Sequence, residues 1–279
     1  MAAEHPLAPI DAAPLFAELD ARLLELLRSL NDDEWSRPTI AGAWTVRDVT
    51  AHLLDTALRR LSFARDGWLP RADIRSEADL IAMINAANAD GVRALGRLSP
   101  PVLVTLMETA TRELSDYLGS LDPMAPALFP VSWAGEGASL NWFDTARELT
   151  ERWHHQEQIR LAVGRPGIMT PRLYHPVLDC FLRALPYAYR GVKAPAGSRV
   201  QIVVEGDCGG VWTIERHGNG WRLDRSEGDP VLARVTIPQE LAWRLFTKGL
   251  RGEDARRPIR LEGDQAVGDV VLRLVAIVG

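Results

Sequence analysis

Two residues near the middle of the chain, Glu151 and His155, carry a carboxylate and an imidazole four positions apart. The sequence around them, Arg-Glu-Leu-Thr-Glu-Arg-Trp-His-His-Gln over 147–156, predicts a helix. At about 100° per residue, side chains four positions apart project within about 40° of each other and one turn apart. Such a pair can hold one divalent metal ion, because carboxylate oxygen and imidazole nitrogen both ligate zinc. Two ligands do not complete a site, so a third has to come from elsewhere.

The predicted helix, over residues 141–163, also carries an apolar stripe. The stripe consists of Trp142, Ala146, Leu149 and Trp153. Glu151 and His155 point nearly the opposite way, so the helix is either buried on both sides or presents this pair to solvent. Ile159 and Ala162, farther along the face of the pair, favour burial on both sides.

The histidines are the first candidates for a third ligand. They are His5, His52, His154, His155, His175 and His217. His52 lies within a predicted helix, about 60° from Val49 and at the margin of an apolar stripe, where its side chain can reach into a bundle. A histidine there is also a common packing residue, and spacing alone leaves both interpretations open. His154 leaves a second question open, because it lies three residues from Glu151 and spacing does not separate it from His155.

Over the first two thirds of the chain, apolar residues recur at helical spacing. The remainder has the pattern of short strands. The predicted helices span 14–30, 46–66, 77–98, 100–118, 141–163 and 171–189. Thr45 is predicted to cap the second of them, with Asp48 at its third position. After about Gly191, strands are predicted over 199–205, 211–215, 221–223, 233–237 and 258–261, with helices over 238–248 and 266–278. The expected architecture is α plus α+β, with a helix bundle over 1–190 and a small α+β domain over 191–279.

Composition narrows the class of protein. The chain has 279 residues, 47% of them hydrophobic and 25% charged, with a net charge of −5. The acidic balance and the lack of a basic run argue against a nucleic acid or an anionic membrane as partner. Cys180 and Cys208 are the only cysteines, too few for a disulfide framework. With no signal sequence and no membrane-spanning apolar run, a soluble, cytoplasmic protein is expected, and its oligomeric state stays open.

Two segments of the chain resemble the motifs of a known family. Residues 35–53, with Trp-Ser-Arg-Pro-Thr, Gly-Ala-Trp-Thr-Val-Arg-Asp and Ala-His-Leu, resemble the N-terminal signature of the mycothiol-dependent maleylpyruvate isomerase family, part of the DinB-like metalloenzyme superfamily. Residues 148–167, which end in Gly-Arg-Pro-Gly, resemble the second metal motif of that family. The resemblance implies that His52, Glu151 and His155 are the metal ligands and that they act in catalysis through the metal.

The resemblance also implies a fold and a chemistry. The fold is an antiparallel DinB-like four-helix bundle with extra helices, followed by a sterol-carrier-like α+β domain. The implied cofactors are a divalent metal, with Zn²⁺ as the default for a mixed imidazole and carboxylate set, and mycothiol or a related low-molecular-weight thiol. The metal-activated thiolate would attack an electrophilic small molecule, as in a thiol S-transferase or a maleylpyruvate isomerase. A metal hydrolase that acts through hydroxide and a non-catalytic ligand-binding module are the alternatives.

Other residues bear on the substrate. Arg59 lies two turns along from His52 on nearly the same face, where it could meet an anionic substrate group or remain a solvated surface arginine. The second domain offers further arginines, of which the sequence singles out none: Arg244, Arg251, Arg256 and Arg257. Gln158 stands where the resembled family often has Asp, and the loop over 40–44 lacks the cysteine often found there. Both departures suggest a different substrate.

Overall fold

The computed structural model of the protein describes residues 7–69, 76–218, 220–224, 228, 230–250 and 252–277. Contacts divide the chain into two compact units, which are described separately here. The helical unit comprises Ala12–Asp122 and Glu151–Ile168, and the sheet unit comprises Pro123–Thr150 and Met169–Ile277. Among the described residues, none of the helices has the length and apolarity that crossing a membrane requires.

The helical unit is built mainly from long helices. Its helices are α1 (Phe16–Arg28), α2 (Asp32–Trp35), α3 (Val46–Arg60), α4 (Glu77–Leu95), α5 (Pro100–Ser120) and the part of α6 (Asn141–Val163) from Glu151 onward. Helix α3 packs against α4 and α5, and α1 packs against α5. The predicted helix over 141–163 is confirmed, and those over 46–66, 77–98 and 100–118 are confirmed to within a few residues, with α3 continuing as a π-helical turn over Leu61–Arg65.

Polar caps fix where two of these helices begin. The Thr45 side chain accepts from the Asp48 backbone N–H, and the Asp48 carboxylate accepts from the Thr45 N–H at 2.9 Å, as the sequence predicts. Asn31 and Glu34 form the same reciprocal arrangement at the start of α2. Each capping box satisfies backbone donors that a helix leaves unpaired at its N-terminus. The start of α3, and hence the position of His52 along it, is therefore set locally.

Helix α6 is buried on both of its sides. Trp153 on the apolar stripe is fully buried, and His155 on the other side retains only 8% of its accessible surface. Ile159, one turn beyond His155, is also fully buried. The sequence left two arrangements open for this helix. The structure shows the first of them, burial on both faces.

The sheet unit contains one mixed five-stranded sheet. Its strands are β1 (Arg199–Glu205), β2 (Gly210–His217), β3 (Gly220–Asp224), β4 (Ala233–Pro238) and β5 (Arg260–Gly263). Their order is β3-β2-β1-β4-β5, with β1 parallel to β4 and the other neighbours antiparallel. The helices of this unit are the first part of α6, α7 (Pro171–Leu182), α8 (Leu185–Ala188), α9 (Gln239–Phe246), α10 (Gly252–Arg256) and α11 (Gln265–Gly268). A helical N-terminal region followed by a mixed sheet confirms the predicted fold class.

Helix α7 is held to the sheet unit by buried hydrogen bonds. The Tyr174 hydroxyl donates to the Gln239 carbonyl at 2.7 Å, and the Trp212 indole N–H donates to Asp179 Oδ1 at 2.8 Å. Contacts therefore group the residues from Met169 to 190 with the sheet. The predicted domain boundary at residue 190 stays a prediction.

Two predicted helices are wrong in extent. The helix over 171–189 is broken into α7 and α8, since Pro186 has no N–H with which to continue the ladder from α7. The helix over 266–278 is reduced to α11 and a 3₁₀ turn over Val271–Arg273. The chain then turns extended at Leu274, and the Ala276 N–H donates to the Phe246 carbonyl at 2.9 Å. Tertiary pairing there replaces the helical hydrogen bonds.

Candidate metal centre

A tight loop before α3 brings an indole against a histidine. The Thr39 N–H and hydroxyl both donate to the Trp44 carbonyl, at 3.0 and 2.7 Å, and the Trp44 N–H donates to the Ala41 carbonyl at 3.2 Å. Gly42 supplies the left-handed conformation of this turn, with φ of +63°. The Trp44 ring consequently lies 4.9 Å from the His52 ring, centroid to centroid. This signature loop (residues 39–44) therefore leads directly into α3, and its Trp44 ring lies against His52, two turns into that helix.

Two pairs among the three predicted ligands are close: His52 with His155, and His155 with Glu151. The His52 and His155 rings lie 4.6 Å apart, centroid to centroid, at an interplanar angle of 73°. His155 Nε2 lies 3.7 Å from Glu151 Oε2, one turn earlier on the same helix. Both histidines are buried, at 5% and 8% exposure, whereas the Glu151 side chain keeps 29% of its surface. The carboxylate therefore lies where a ligand from solvent can reach it.

Gln158 fixes the orientation of the second histidine. Its side-chain Oε1 lies 2.8 Å from His155 Nδ1, so that ring nitrogen carries the proton and donates it. The other nitrogen, Nε2, is then the one with a free lone pair, and it is the one nearest Glu151. A hydrogen bond of this kind is the usual way in which proteins orient a metal-binding imidazole. Gln158 therefore supplies this acceptor without carrying a charge.

His154 gives a second grouping that shares two of these residues. Ligand atoms of Glu151, His154 and His155 all lie within 4.8 Å of one another. The His154 and His155 rings are 4.0 Å apart, as consecutive residues on one helix. A site built from this group alone would take every ligand from a single turn of α6, whereas His52 adds a ligand from a facing helix. The latter is how helix bundles generally build metal sites.

Burial keeps both central histidines neutral. Desolvation, with smaller contributions from His155 and Arg59, lowers the pKa of His52 to about 2. Desolvation also lowers the pKa of His155 well below its usual value, with the neighbouring His154 acting in the same direction and the Gln158 hydrogen bond opposing it. Neutral imidazole is the form that binds a metal ion. Both rings are therefore in the binding form at neutral pH.

The donor set fits a divalent ion. His52 Nδ1 is buried and has no hydrogen-bond partner among the described residues, which is costly for a polar atom in a protein interior. Coordination to a divalent ion would satisfy that atom, and the free lone pair of His155 Nε2 is available for the same purpose. Two imidazoles and one carboxylate leave an open coordination position, as in catalytic rather than structural zinc sites.

Arg59 lies beyond His52 on the same helix and is held in place by two neighbours. Its Nε lies 2.7 Å from Asp55 Oδ2, and its Nη2 donates to Asn88 Oδ1 of α4 at 2.6 Å. The Asp55 carboxylate packs directly on the backbone of α4 at Gly91, where a β-carbon would overlap it. The guanidinium, 25% exposed, is therefore a fixed cation and not a freely solvated one.

The remaining candidates lie elsewhere. His175, whose Nδ1 is 3.1 Å from the carbonyl oxygens of Cys208 and Gly209, and His217 on β2 belong to the sheet unit. Arg244, Arg256 and Arg257 also belong to that unit, while His5 and Arg251 lie outside the described residues. Sequence reasoning did not find the contacts of Trp44, Asp55 and Asn88. The position of Trp44 in the signature loop is a sequence signal that could have identified its contact with His52. No sequence pattern marks Asn88.

The chain is similar to proteins of one known family. The family model for the mycothiol maleylpyruvate isomerase N-terminal domain matches residues 16–160, or 145 of the 279 residues. A crystal structure of the mycothiol-dependent maleylpyruvate isomerase is similar with a TM-score of 0.53 at 14% identity, over 92% of this chain and 93% of that chain. A histidine-to-alanine mutant of that isomerase gives a TM-score of 0.54 with the same identity and coverage.

The structural similarity extends over both units and shows a common fold. No curated protein matches the sequence. The family match, by contrast, covers α1 through most of α6, and so includes the signature loop, His52, Glu151 and His155. On that match, the chain belongs to the mycothiol maleylpyruvate isomerase N-terminal domain family.

Proposed function

We propose that the protein is a divalent-metal-dependent enzyme that uses a low-molecular-weight thiol, such as mycothiol, to attack an electrophilic small molecule. The reaction is either an isomerisation like that of maleylpyruvate or the transfer of the thiol to the substrate. The observation that supports the proposal is the contact between the His52 and His155 rings, with Glu151 3.7 Å from His155 and with the His52 Nδ1 atom buried and without a hydrogen-bond partner among the described residues. Family membership supports the choice of thiol chemistry.

The three residues have distinct tasks in this proposal. His52 and His155 supply neutral imidazole nitrogens from two helices, and Glu151 supplies a carboxylate at the more exposed side of the site. Trp44 and Gln158 hold the two rings in orientation. A divalent ion, with zinc as the default, supplies a Lewis acid that favours the thiolate form of a thiol at its open position.

The nucleophile comes with the cofactor. Cys180 and Cys208 are the only cysteines of the sequence, both are buried, and both belong to the sheet unit. The helical unit therefore has no thiol of its own near the candidate site. A thiol brought by a small cofactor needs access to the site, and the partly exposed Glu151 side supports that access.

The substrate carries a negative charge in this proposal. Arg59 is the fixed cation of the site, since Asp55 and Asn88 hold its guanidinium. A guanidinium binds a carboxylate through two parallel hydrogen bonds, which orients a planar acid as well as attracting it. An electrophile with a carboxylate group, as in maleylpyruvate, fits this requirement.

The test begins with metal content. The purified protein is stripped with a chelator, reconstituted with Zn²⁺ and analysed for bound metal, and about one ion per chain is expected. The loaded protein is then assayed with maleylpyruvate in the presence and absence of mycothiol, and activity is expected only with the thiol. A chain that binds no divalent ion after reconstitution would exclude this proposal.

A second set of assays separates the other two classes of function. Ester and amide cleavage are measured with and without added thiol, next to conjugation of the thiol to an electrophile. Cleavage that needs the metal but no thiol would identify a hydrolase. A loss of stability on substitution of His52, Glu151 and His155, without turnover in any of the assays, would point to a non-catalytic binding module.

A further inference from the structure

The sheet unit contains a cavity of about 380 Å³ between α7 and the N-terminal segment of the chain. Residues 7–11 belong to the sheet unit by their contacts, and none of the candidate metal-site residues lines the cavity. The lining residues are Leu7, Ala8, Pro9 and Ile10 of the N-terminal segment and His175, Pro176 and Asp179 of α7. The volume is within the range of small-molecule binding sites.

A buried arginine fixes the N-terminal wall of this cavity. Arg183 Nη1 donates to the Leu7 carbonyl at 3.3 Å, and its Nη2 donates to the Ala8 carbonyl at 2.8 Å. The same Nη2 donates to Asp179 Oδ2 at 3.0 Å, and the Arg183 side chain is only 1% exposed. The N-terminal segment is therefore tied to α7 before any ligand arrives, which reduces the entropy lost on binding.

The one carboxylate among the described lining residues is already compensated. Asp179 Oδ1 accepts from the Trp212 indole N–H at 2.8 Å, and Asp179 Oδ2 accepts from Arg183. Both carboxylate oxygens are engaged, and Asp179 together with Arg183 carries no net charge. An ion brought into the cavity would lose its hydration without meeting an uncompensated counter-charge from this pair, so an uncharged ligand fits better.

His175 provides a hydrogen-bond acceptor in the wall of the cavity. Its Nδ1 lies 3.1 Å from the carbonyl oxygens of both Cys208 and Gly209. Carbonyl oxygens only accept, so Nδ1 carries the proton, and in the neutral ring Nε2 has the lone pair. The ring stacks on Trp212, with the centroids 5.5 Å apart and an interplanar angle of 28°, and it is half-buried. Among the described residues, no group donates to Nε2.

The other lining side chains are hydrocarbon. They are those of Leu7, Ala8, Pro9, Ile10 and Pro176. Such walls favour the apolar body of a ligand, and the flat faces of two proline rings suit an aromatic ring. The cavity thus combines apolar walls with a single free acceptor, and it calls for a ligand with an apolar body and one donor.

We propose that this cavity binds a small uncharged phenol. The phenolic hydroxyl donates to His175 Nε2, and the aromatic ring packs against the hydrocarbon side chains of the wall. The inference concerns a second site and does not depend on the proposed metal chemistry.

The test is direct binding, measured by titration calorimetry under mildly alkaline conditions in which imidazole is neutral. The probe is p-cresol, and p-methylanisole is its analogue without the hydroxyl donor. The analogue is expected to bind about tenfold more weakly, because it leaves His175 Nε2 without a partner. The anion p-hydroxybenzoate is expected to bind no more tightly than p-cresol. Absence of p-cresol binding at millimolar concentration, equal binding of p-methylanisole, or tighter binding of the anion would overturn the proposal.

NMR of isotopically labelled histidine side chains reports on the hydrogen bond itself. The Nε2 resonance of His175, assigned by its loss in His175→Phe, should move upfield on addition of p-cresol, while Nδ1 keeps its proton. The Nε2 resonance of His217, which does not line the cavity, is the internal control. A His175 resonance that stays unchanged at saturating p-cresol would contradict the assigned acceptor.

Two variants locate the binding and separate it from folding. His175→Phe retains a ring to stack on Trp212 but has no acceptor, so it should bind p-cresol and p-methylanisole equally. Ala8→Trp places a large side chain at an exposed position of the wall and should abolish binding without disturbing the core. The matched controls His217→Phe and Ala196→Trp, at exposed positions, should bind p-cresol as the wild type does. Unchanged binding in Ala8→Trp, or a preference for p-cresol that persists in His175→Phe, would overturn the proposal.

A last control separates this cavity from the candidate metal centre. Binding of p-cresol is measured in His52→Ala, which alters the metal centre and does not touch a lining residue. Unchanged affinity is expected. Loss of p-cresol binding in that variant would place the phenol at the metal centre and overturn the proposal, without bearing on whether the metal centre is catalytic.

Discussion

The imidazoles of His52 and His155 lie 4.6 Å apart, although one comes from the second long helix of the sequence and the other from the middle of α6. Their rings are nearly perpendicular, both are buried, and burial keeps both neutral. Two neutral imidazoles this close, with a carboxylate 3.7 Å from one of them, form an arrangement that an ion can complete.

Single alanine substitutions should distinguish the ligands from their neighbour. His52→Ala and His155→Ala are expected to abolish stoichiometric binding of Zn²⁺, because each removes one of three ligands. His154→Ala is expected to retain it, because a site that includes His52 does not need the adjacent ring. Metal content after reconstitution, measured by mass spectrometry, is the readout.

His217→Ala, at an exposed position on β2, is the matched control and should bind the full amount of metal. Circular dichroism would verify that all four variants are folded. Retention of metal by His52→Ala together with its loss in His154→Ala would instead assign the ligand set to Glu151, His154 and His155 alone.

Asp55 is expected to act on an anionic substrate through Arg59. Asp55→Asn removes the ion pair that holds the guanidinium and should raise KM for a carboxylate-bearing substrate about tenfold, with little change in kcat. Arg59→Gln should have a larger effect in the same direction, because the cation itself is lost. Arg93→Gln, a highly exposed arginine on α4, serves as the control. A change confined to kcat in Asp55→Asn would contradict a positioning role.

Two glycine-to-alanine substitutions in helices should have opposite effects on stability. Alanine at Gly119 of α5, where the added β-carbon meets nothing, should stabilise the protein by about 0.5–1 kcal/mol. Alanine at Gly91 of α4 would overlap the Asp55 carboxylate and should destabilise it by about 1–3 kcal/mol. Urea unfolding of both variants gives the comparison. Equal stabilisation by both would show that Asp55 does not pack against α4 in this way.

The acid sensitivity of the helical unit should depend on Glu34. The backbone N–H of Asn31 lowers the pKa of this buried carboxyl, and the Arg165 guanidinium, 2.7 and 2.8 Å from its two oxygens, lowers it further. A carboxyl with a lowered folded-state pKa contributes stability above its unfolded pKa of about 4.3, and this contribution is lost as the pH falls through the folded pKa.

Glu34→Gln should therefore be less stable than wild type at pH 7, with the difference shrinking as the pH falls below about 4. Glu113→Gln, an exposed carboxyl of α5 that pairs with Arg65, is the control. Chemical unfolding at a series of pH values gives the measurement. A difference between Glu34→Gln and wild type that stays constant from pH 7 to pH 3 would argue against this role.

Much of the local structure was determined by the sequence itself. Helix α6 spans the predicted residues, Thr45 and Asp48 form the predicted capping box, and β2 and β3 include the strands predicted over 211–215 and 221–223. Capping, helical periodicity and turn chemistry act between residues a few positions apart, so a single sequence contains them in full. The candidate ligand pair Glu151 and His155 also depends on local geometry, since one helical turn fixes its spacing.

The tertiary structure alone decided which distant residues meet. It placed the His52 ring against His155, buried α6 on both faces and brought Asn88 of α4 to Arg59. It also ended the predicted C-terminal helix early, where Ala276 bonds to Phe246. These outcomes depend on packing between segments far apart in the chain, and no periodicity within either segment specifies its partner. The sequence thus determined which residues could ligate a metal, and only the fold decided that His52 and His155 meet.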